Sequence, residues 1–374
     1  MITGRQLTST ANKNGTLRLA VEDFSLDGPG ADEVVVRIEA APINPTDIGL
    51  LLGPAEIASL EAGGTPDRPV LTFNIPEQRL SRIAGRVGQA LAVGIEGAGI
   101  VVDAGANVKA LEGRRVALFG QGMFADYCRV AASAVIPLPG HVAAADGAAL
   151  FVNPMTALGF VETARREGHR AIVHTAAASN LGQMLQKICL RDAIPLVNIV
   201  RSEQQEELLR RIGATHVLNS RDEDFPARLL EAVAETGATI AFDAIGGGRL
   251  GSDILTAMEQ AATRKMTTYS HYGSSSSKQL YVYGRLDPSL TVLDRASFGM
   301  QWKIGGWLLM PFLERSGDET VRRMRQRVID ELTTTFASRY TRTIGLAEAL
   351  DPDVLRAYER KSTGQKYLID PTRG

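Results

Sequence analysis

The stretch His174-Thr175-Ala176-Ala177-Ala178-Ser179-Asn180-Leu181-Gly182 decides the fold, because it joins an apolar strand to a helix through small residues. The apolar segment Ala171–Thr175 predicts a buried strand, and the segment that continues to Ile188 predicts a helix. Backbone N–H groups and the dipole at such a helix start attract a pyrophosphate, and small side chains let the ligand approach. The usual fingerprint has three glycines and this loop has only Gly182, so the loop alone also fits a plain strand-to-helix turn.

From about residue 154 onward, predicted strands and helices alternate along the chain. The helical segments Ser202–Ile212 and Phe225–Glu235 lie between apolar strands, and Ser202 and Gly213 suit the two ends of the first. Strands separated by single helices must be joined in parallel, because each helix crosses back over the sheet. The pattern therefore predicts a Rossmann-type, doubly wound parallel sheet. Its expected strands are Ala171–Thr175, Pro195–Arg201, Thr215–Leu218, Thr239–Ala244 and Lys265–Tyr269.

Before about residue 150 the pattern is that of a β-rich domain. Short β-branched or alternating segments are separated by glycine and proline, which predicts strands joined by turns. The stretch Gly53–Val93 fits no strand, and apolar residues at helical spacing between Ile75 and Val87 predict a short helix within it. The expected strands are Leu17–Glu22, Glu33–Ala40, Gly99–Val102 and Val116–Phe119.

The bulk composition restricts the class of protein. A chain of 374 residues suits two domains, and 44% hydrophobic with 22% charged residues is typical of a soluble globular protein. The formal charge of −1 argues against partners such as nucleic acid or an acidic membrane. No apolar run approaches the roughly 20 residues needed to cross a bilayer, and the start lacks a secretory core. With only Cys128 and Cys189, a disulfide framework is excluded and a cytoplasmic location is expected.

Four segments, in this order, resemble the medium-chain dehydrogenase/reductase superfamily in its zinc-free quinone reductase and enoyl reductase branches. They are Asn44-Pro45-Thr46-Asp47, Gly94-Ile95-Glu96-Gly97-Ala98-Gly99, Asn153-Pro154-Met155-Thr156-Ala157 and Ala177–Gly182. The resemblance implies an α/β protein with a GroES-like β-rich catalytic domain over residues 1–152 and 325–374, and a Rossmann nucleotide-binding domain over residues 153–324. It also implies a homodimer, for which the apolar segment Gln279–Gly284 is the edge-strand candidate.

The same resemblance argues against zinc. Zinc-dependent relatives carry a Cys and a His at the positions that Asn44 and Ile95 occupy here, and neither residue supplies a thiolate or an imidazole. Without a Lewis acid, hydride addition to an already polarised acceptor, such as an enone or a quinone, becomes the more natural chemistry. Glu96 either belongs to the active site or simply orders the turn in which it lies.

The end of the second predicted strand indicates which nicotinamide cofactor binds. An acidic residue there selects NAD, whereas an arginine accommodates a 2′-phosphate. Here the strand ends in Arg201-Ser202, which favours NADPH, with NADH possible, unless Arg201 is only an exposed residue at a helix start. The predicted cofactor-binding residues are Thr156, Ala178, Ser179, Asn180, Leu181, Gly182, Arg201, Ser202, Ile245, Gly246, Tyr272, Gly273 and Lys366.

The catalytic residue is not identified by the sequence. Enoyl thioester reductases place a Tyr shortly after the Asn-Pro motif, whereas this chain reads Leu50-Leu51-Leu52-Gly53-Pro54-Ala55. The pocket candidates are Asn44, Tyr272 and Trp307, each of which also has a structural interpretation as a cap, a turn or a core residue. A long segment beside an active site often forms a lid or a wall, so Gly53–Val93 is hypothesised to shape the acceptor pocket.

Three functions stay open at this point. The first is NADPH-dependent hydride transfer to an activated double bond or a quinone without zinc. The second is a dehydrogenase or reductase of another small carbonyl or alcohol. The third is a non-enzymatic NADPH-binding protein.

Overall fold

The computed structural model describes residues 1–360 and 363–373, which divide into two compact units. The β-rich unit comprises Met1–Phe151 and the C-terminal segment from Leu332, and the parallel-sheet unit comprises Val152–Glu331. The chain therefore changes from one unit to the other after residues 151 and 331, where the sequence analysis placed the changes after residues 152 and 324.

The parallel-sheet unit contains one six-stranded sheet with helices between its strands. Its strands are β11 Ile172–His174, β12 Leu196–Val200, β13 His216–Asn219, β14 Ile240–Asp243, β15 Lys278–Val282 and β16 Trp302–Gly306. Its helices are α4 Val152–Arg166, α5 Asn180–Arg191, α6 Glu203–Arg211, α7 Phe225–Thr236, α8 Leu250–Thr263, α9 Leu309–Ser316 and α10 Asp318–Asp330. The order β13-β12-β11-β14-β15-β16, with every pair parallel, confirms the predicted doubly wound sheet.

Two predictions about this sheet were wrong. Lys265–Tyr269 is not a strand: it follows α8 as an irregular segment, and Tyr269 is 88% exposed. The strand beside β14 is instead β15, whose Leu280 is completely buried. Because β15 pairs with β14 on one side and β16 on the other, Gln279–Gly284 is not at an edge, and the edge strand on this side of the sheet is Trp302–Gly306.

The β-rich unit contains the remaining elements. Its strands are β1 Ile2–Ala11, β2 Thr16–Leu26, β3 Glu33–Pro42, β4 Glu56–Thr65, β5 Arg68–Asn74, β6 Ala90–Ala92, β7 Glu96–Ala104, β8 Arg115–Phe119, β9 Tyr127–Ala131, β10 Val135–Pro137, β17 Arg342–Ile344 and β18 Tyr367–Ile369. Its helices are α1 Pro45–Leu52, α2 Glu77–Arg82, α3 Ala144–Gly147 and α11 Pro352–Glu359. One sheet has the order β4-β5-β2-β1-β6, and a second has β10-β8-β7-β3-β18-β17 with β9 paired to β3. The second sheet joins both ends of the chain.

The segment Gly53–Val93 contains strands, contrary to the prediction. Strands β4 and β5 form an antiparallel hairpin, and β5 continues the sheet by pairing with β2. Buried and more exposed residues alternate at the end of β5, where Leu71 and Phe73 are buried. Every residue of β4 is partly or fully exposed, so β4 shows no such alternation. The predicted short helix exists as α2. The segment is therefore part of the sheet framework, and its role in shaping an acceptor pocket stays a prediction.

One apolar segment bears on the expectation that no part of the chain crosses a membrane. By length and composition alone, Ala144–Arg166 is long and apolar enough to cross a membrane. Most of that window, 72%, is buried within the protein, as is usual for the core helix of a globular domain. Its larger part is α4, which packs against α5 within the parallel-sheet unit.

Candidate functional site

The loop between β11 and α5 has the geometry expected of a phosphate loop. Ala176 adopts a positive φ of 49°, which turns the chain sharply at the end of β11. The Ser179 hydroxyl caps α5 by accepting a hydrogen bond from the Gly182 N–H at 3.1 Å. A Cβ added at Gly182 would collide with the Ala177 carbonyl oxygen, so only glycine allows the helix to start this close to the loop. Asn180 and Leu181 form the first turn.

The second strand ends in the predicted arginine. Ser202 caps α6 and accepts a hydrogen bond from the Gln205 N–H at 3.4 Å, while the Arg201 N–H donates to the Gln205 side chain at 3.0 Å. Arg201 is exposed, and no carboxylate in residues 1–360 or 363–373 forms an ion pair with it. An unpaired guanidinium at the carboxyl end of β12 is available to an anion.

A buried carboxylate connects the ends of β11 and β14. Asp243 accepts a hydrogen bond from the Thr175 hydroxyl at 2.7 Å and from the N–H groups of Ile245 at 2.9 Å and Gly246 at 3.1 Å. The turn at Ile245 and Gly246 is thereby fixed beside the end of β11, at the same edge of the sheet as the phosphate loop. Thr156, also a predicted cofactor contact, lies in α4 and is nearly buried.

Tyr272 and Gly273 do not lie where the sequence analysis placed them. They were expected to follow a strand, but they belong to the irregular segment between α8 and β15, and Tyr272 is 69% exposed. The pair that follows a strand is Tyr283 and Gly284, at the end of β15. A side chain at Gly284 would run into the backbone of Ala244, after β14. The repeated Tyr-Gly in the sequence misled the assignment, because an apolar run does not reveal its place in a sheet.

His174 and Trp307 are packed residues of the parallel-sheet unit. The His174 ring nitrogen Nε2 lies 2.8 Å from the Tyr283 hydroxyl, and complete burial lowers the pKa of His174 to about 3. His174 is thus neutral and is not a general acid. The Trp307 indole N–H donates to the Thr163 hydroxyl at 3.0 Å, and its ring meets Phe160 and Phe312. These contacts favour the core interpretation of Trp307.

A second polar group lies in the β-rich unit, around the start of α1. The buried Asn44 side chain donates to the Glu96 carboxylate at 2.8 Å, and Glu96 also accepts the Phe151 N–H at 3.1 Å. Asp47 accepts the N–H groups of Asn44 at 2.8 Å and Ile95 at 3.0 Å. Burial raises the pKa of Asp47 to about 7, and the nearby Glu96 carboxylate adds to the increase. Glu96 therefore does order its turn, by anchoring both Asn44 and residue 151.

Lys366 and Tyr340 complete this group from the C-terminal segment. The Lys366 Nζ is buried and lies 5.5 Å from the centre of the Tyr340 ring. Burial lowers the pKa of Lys366, whereas the carboxylates of Glu96 and Asp47 act in the opposite direction. The resemblance predicts Lys366 as a cofactor contact, and its amine is buried rather than exposed as in an ordinary surface lysine. Tyr340 had no sequence signal, since only the pairing of β17 with β18 brings it beside Lys366.

The groups that usually bind metals are dispersed. Within residues 1–360 and 363–373, no three His, Cys, Asp or Glu side chains lie close enough together to hold an ion. Asn44 and Ile95, which occupy the positions of the zinc ligands in zinc-dependent relatives, both donate their backbone N–H groups to the Asp47 carboxylate. Burial raises the pKa of the Cys128 thiol to about 11 and that of Cys189 to about 12, so both stay protonated at neutral pH.

Comparison with solved structures supports the fold of the whole chain. The chain is similar to the "putative NADPH:quinone reductase" of Mesorhizobium loti, with a TM-score of 0.74 and 26% identity over 99% of this chain and 98% of that one. The family of the alcohol dehydrogenase GroES-like domain matches residues 30–140, which lie in the β-rich unit. The expected GroES-like domain is thereby confirmed.

Curated sequences match over shorter segments. A "Probable quinone oxidoreductase" of Leishmania amazonensis is 32% identical over 41% of this chain and 45% of that protein. A mitochondrial enoyl-[acyl-carrier-protein] reductase of Xenopus tropicalis is 28% identical over 54% of this chain and 51% of that protein. The chain thus spans about half the length of these two relatives, and 9% of the polyketide synthase subunits that it also matches.

Proposed function

Since the chain belongs to the medium-chain dehydrogenase/reductase superfamily, in its zinc-free quinone reductase and enoyl reductase branch, we propose that it is an NADPH-dependent oxidoreductase. Its reaction is hydride transfer to an activated double bond or to a quinone, without zinc. The observation that carries this proposal is the phosphate loop, where the helix start is lined by alanines and closed by Gly182 against Ala177.

The parallel-sheet unit offers the groups that an NADPH molecule needs. The N–H groups of Ala178 and Leu181 at the start of α5 suit a diphosphate, and the exposed Arg201 with Ser202 suits the 2′-phosphate. The turn at Ile245 and Gly246, which Asp243 fixes through both N–H groups, adds a close-lying backbone surface at the same edge of the sheet. When bound, NADPH supplies the hydride, and the work of the chain is to position the reactants and to exclude water.

Zinc is not part of the proposed chemistry. The carboxamide of Asn44 is a weak metal ligand compared with a thiolate, and it is already engaged with Glu96. Asp47 and Glu96 accept backbone N–H groups, which fixes both carboxylates for a structural purpose. The acceptor that suits this site is therefore a compound whose carbonyl is already polarised by conjugation, such as an enone or a quinone.

The cofactor choice is tested on Arg201. Replacing Arg201→Ala removes a charge-assisted contact to the 2′-phosphate, so the dissociation constant for NADPH should rise about 10- to 100-fold. The constant for NADH should change less than about twofold, because NADH lacks that phosphate. Isothermal titration calorimetry with both cofactors measures this.

Arg170→Ala is the matched control for the Arg201 variant. Arg170 is exposed and precedes β11, at the opposite edge of the same sheet. Its replacement should leave both dissociation constants unchanged. Equal weakening of NADPH and NADH by Arg201→Ala would refute the assignment of NADPH.

Two other functions are separated by simple assays. Oxidation of an alcohol with NADP⁺, with a carbonyl product, would favour a dehydrogenase of small alcohols. Tight NADPH binding without NADPH oxidation by any member of a broad panel of enones and quinones would favour a non-enzymatic NADPH-binding protein.

Dimerisation and a cytoplasmic location are further proposals. The edge strand β16 leaves one side of its backbone unpaired in the sheet, and Met300, Ile304 and Leu308 near it are exposed apolar residues. An exposed apolar edge is a suitable surface for a second copy of the chain. A cytoplasmic location is proposed from the composition, the near-neutral charge and the two unpaired cysteines.

A further inference from the structure

Three buried side-chain atoms without hydrogen-bond partners lie at one edge of the second sheet of the β-rich unit. They are the Asn44 Oδ1, the Tyr340 hydroxyl and the Lys366 Nζ. Buried polar atoms in native proteins are almost always paired, so each unpaired atom needs an explanation. A shared location of three such atoms points to a ligand that pairs with them.

The register of the sheet fixes these residues side by side. Strand β3 pairs with β18 through Pro42 and Leu368, and the Ile43 N–H donates to the Tyr367 carbonyl at 3.0 Å. Ile43 therefore lies opposite Tyr367, and the next pair in the same antiparallel register places Asn44 opposite Lys366.

The other neighbour of β18 brings Tyr340 to the same place. The Thr341 N–H donates to the Lys366 carbonyl at 2.8 Å, and the Lys366 N–H donates to the Thr341 hydroxyl at 3.2 Å. The backbone ahead of β17 and β18 is therefore held on both sides, and Tyr340 has little freedom relative to Lys366. The site is pre-organised by main-chain bonds rather than by the side chains themselves.

The chemistry of the edge is that of an oxygen-binding site. Lys366 and Tyr340 are hydrogen-bond donors that point to no acceptor among the described residues, while Asn44 has already given an N–H to Glu96. Burial raises the pKa of the Tyr340 hydroxyl, so Tyr340 stays a neutral donor. A cationic donor and a neutral donor, with the Lys366 Nζ 5.5 Å from the centre of the Tyr340 ring, suit an oxygen on which negative charge develops.

We propose that the Lys366 ammonium and the Tyr340 hydroxyl bind the carbonyl oxygen of the hydride acceptor. This inference rests on the proposed function, and it makes Lys366 a residue for the acceptor rather than for the cofactor. NADPH, when bound, would supply the hydride by breaking one of its C–H bonds and would leave as NADP⁺. As the new C–H bond forms at the conjugated carbon of the acceptor, the double bond shifts toward the carbonyl carbon and the carbonyl π pair moves onto the oxygen. That oxygen gains a hydrogen bond from each donor as its charge grows, and a proton from water completes the reduction.

The test separates the acceptor from the cofactor. Tyr340→Phe removes one hydroxyl, and kcat/KM for an enone or a quinone should fall about 10- to 100-fold. Lys366→Met removes the cation, and the fall should reach about 100-fold or more. The NADPH dissociation constant, measured by calorimetry, should stay within about twofold in both variants. The proposal would be overturned if the NADPH dissociation constant of Lys366→Met rose by as large a factor as its kcat/KM fell. It would also be overturned if kcat/KM were unchanged in both variants.

A binding assay makes the test independent of turnover. The probe is 4-nitrophenolate, whose oxyanion mimics the charged oxygen and whose absorbance reports its environment. The wild-type protein should bind it in the presence of NADP⁺, and both variants should bind it about 10-fold more weakly or worse. If the wild-type protein did not bind NADPH in calorimetry, the proposed function itself would be refuted. Nitrophenolate binding that is absent, or that is equal in all variants, would refute the oxygen site alone.

Matched controls keep folding apart from binding. Tyr358→Phe removes another buried tyrosine hydroxyl of the β-rich unit, one that donates to the Ala349 carbonyl at 2.9 Å. Lys109→Met removes an exposed lysine that pairs with Glu112. Neither control should change kcat/KM or nitrophenolate affinity by more than about twofold, and circular dichroism verifies that each variant is folded.

Discussion

The phosphate loop and the oxygen-binding edge differ in how their parts are connected along the chain. Residues 174–182 form the loop within a single strand-turn-helix segment, and its helix is capped from within, because Ser179 accepts the Gly182 N–H, while Thr175 bonds to Asp243 on the next strand. The edge in the β-rich unit combines residues 44, 340 and 366, and it leaves three buried polar atoms unpaired. A site built within one segment thus satisfies its own helix start, whereas the site assembled by sheet register leaves buried polar atoms for a ligand to pair with.

The largest expected effect concerns the local site. Gly182→Ala forces a Cβ against the Ala177 carbonyl oxygen, so the helix start must move away from the loop. NADPH affinity should fall more than about 1,000-fold, which corresponds to about 4 kcal/mol or more. Calorimetry measures the affinity, and thermal unfolding shows whether the fold survives.

A glycine in open space provides the control for this substitution. Gly49 lies in α1, and a Cβ there would have nothing within 4 Å. Gly49→Ala should leave NADPH binding unchanged and stabilise the protein slightly, by about 0.4–1 kcal/mol. If Gly182→Ala bound NADPH as the wild type does, the loop would not be the phosphate site, and the contrast between the two sites would lose its basis.

The next largest effect concerns Asp47, the buried acid near Asn44 and Lys366. The folded protein raises the pKa of Asp47 from 3.8 to about 7, so between these values the folded state holds a proton that the unfolded state has lost. The contribution of Asp47 to stability is therefore present below about pH 4 and is lost as the pH rises to about 7. Asp47→Asn should remove this pH-dependent loss. Between pH 4 and pH 8 the free energy of unfolding of the variant should therefore increase by roughly 3 to 4 kcal/mol relative to that of the wild type.

The measurement can follow the two units separately. Both tryptophans, Trp302 and Trp307, lie in the parallel-sheet unit, so their fluorescence reports that unit during denaturant unfolding. Far-ultraviolet circular dichroism includes the β-rich unit. His174 has the opposite sign, because its lowered pKa costs stability as the pH falls below about 6.5. An Asp47→Asn variant with the wild-type pH dependence would show that Asp47 is ionised in the fold.

The smallest effect concerns Trp307, for which the sequence left a pocket and a core interpretation open. Trp307→Phe removes the indole N–H and leaves the Thr163 hydroxyl without that donor. Stability, followed by the remaining tryptophan, should fall by about 1–2 kcal/mol, while NADPH affinity and kcat/KM stay within about twofold. A large fall in kcat/KM with unchanged stability would instead favour the interpretation of Trp307 as a residue of the active-site pocket.

Errors in the sequence analysis have a common cause. Lys265–Gly273 and Gln279–Gly284 both contain apolar and aromatic residues and end in a Tyr-Gly pair, but only the second contains strand residues. The strand β4 escaped detection because it is an exposed edge, where no buried face imposes alternation. Propensity is a property of a short segment, whereas membership of a sheet depends on which neighbour buries it.

The sequence by itself determined the doubly wound sheet, the phosphate loop and the position of Arg201, because these depend on local periodicity, on small residues and on the order of elements. Only the tertiary structure decided that Tyr283 and Gly284 end β15, that Trp302–Gly306 forms the sheet edge and that Tyr340 stands beside Lys366. Residues 44, 340 and 366 meet through the hydrogen bonds of β3, β18 and β17. Backbone pairing between distant segments leaves no mark in the spacing of a sequence, and this is why the oxygen-binding edge became visible only in the folded chain.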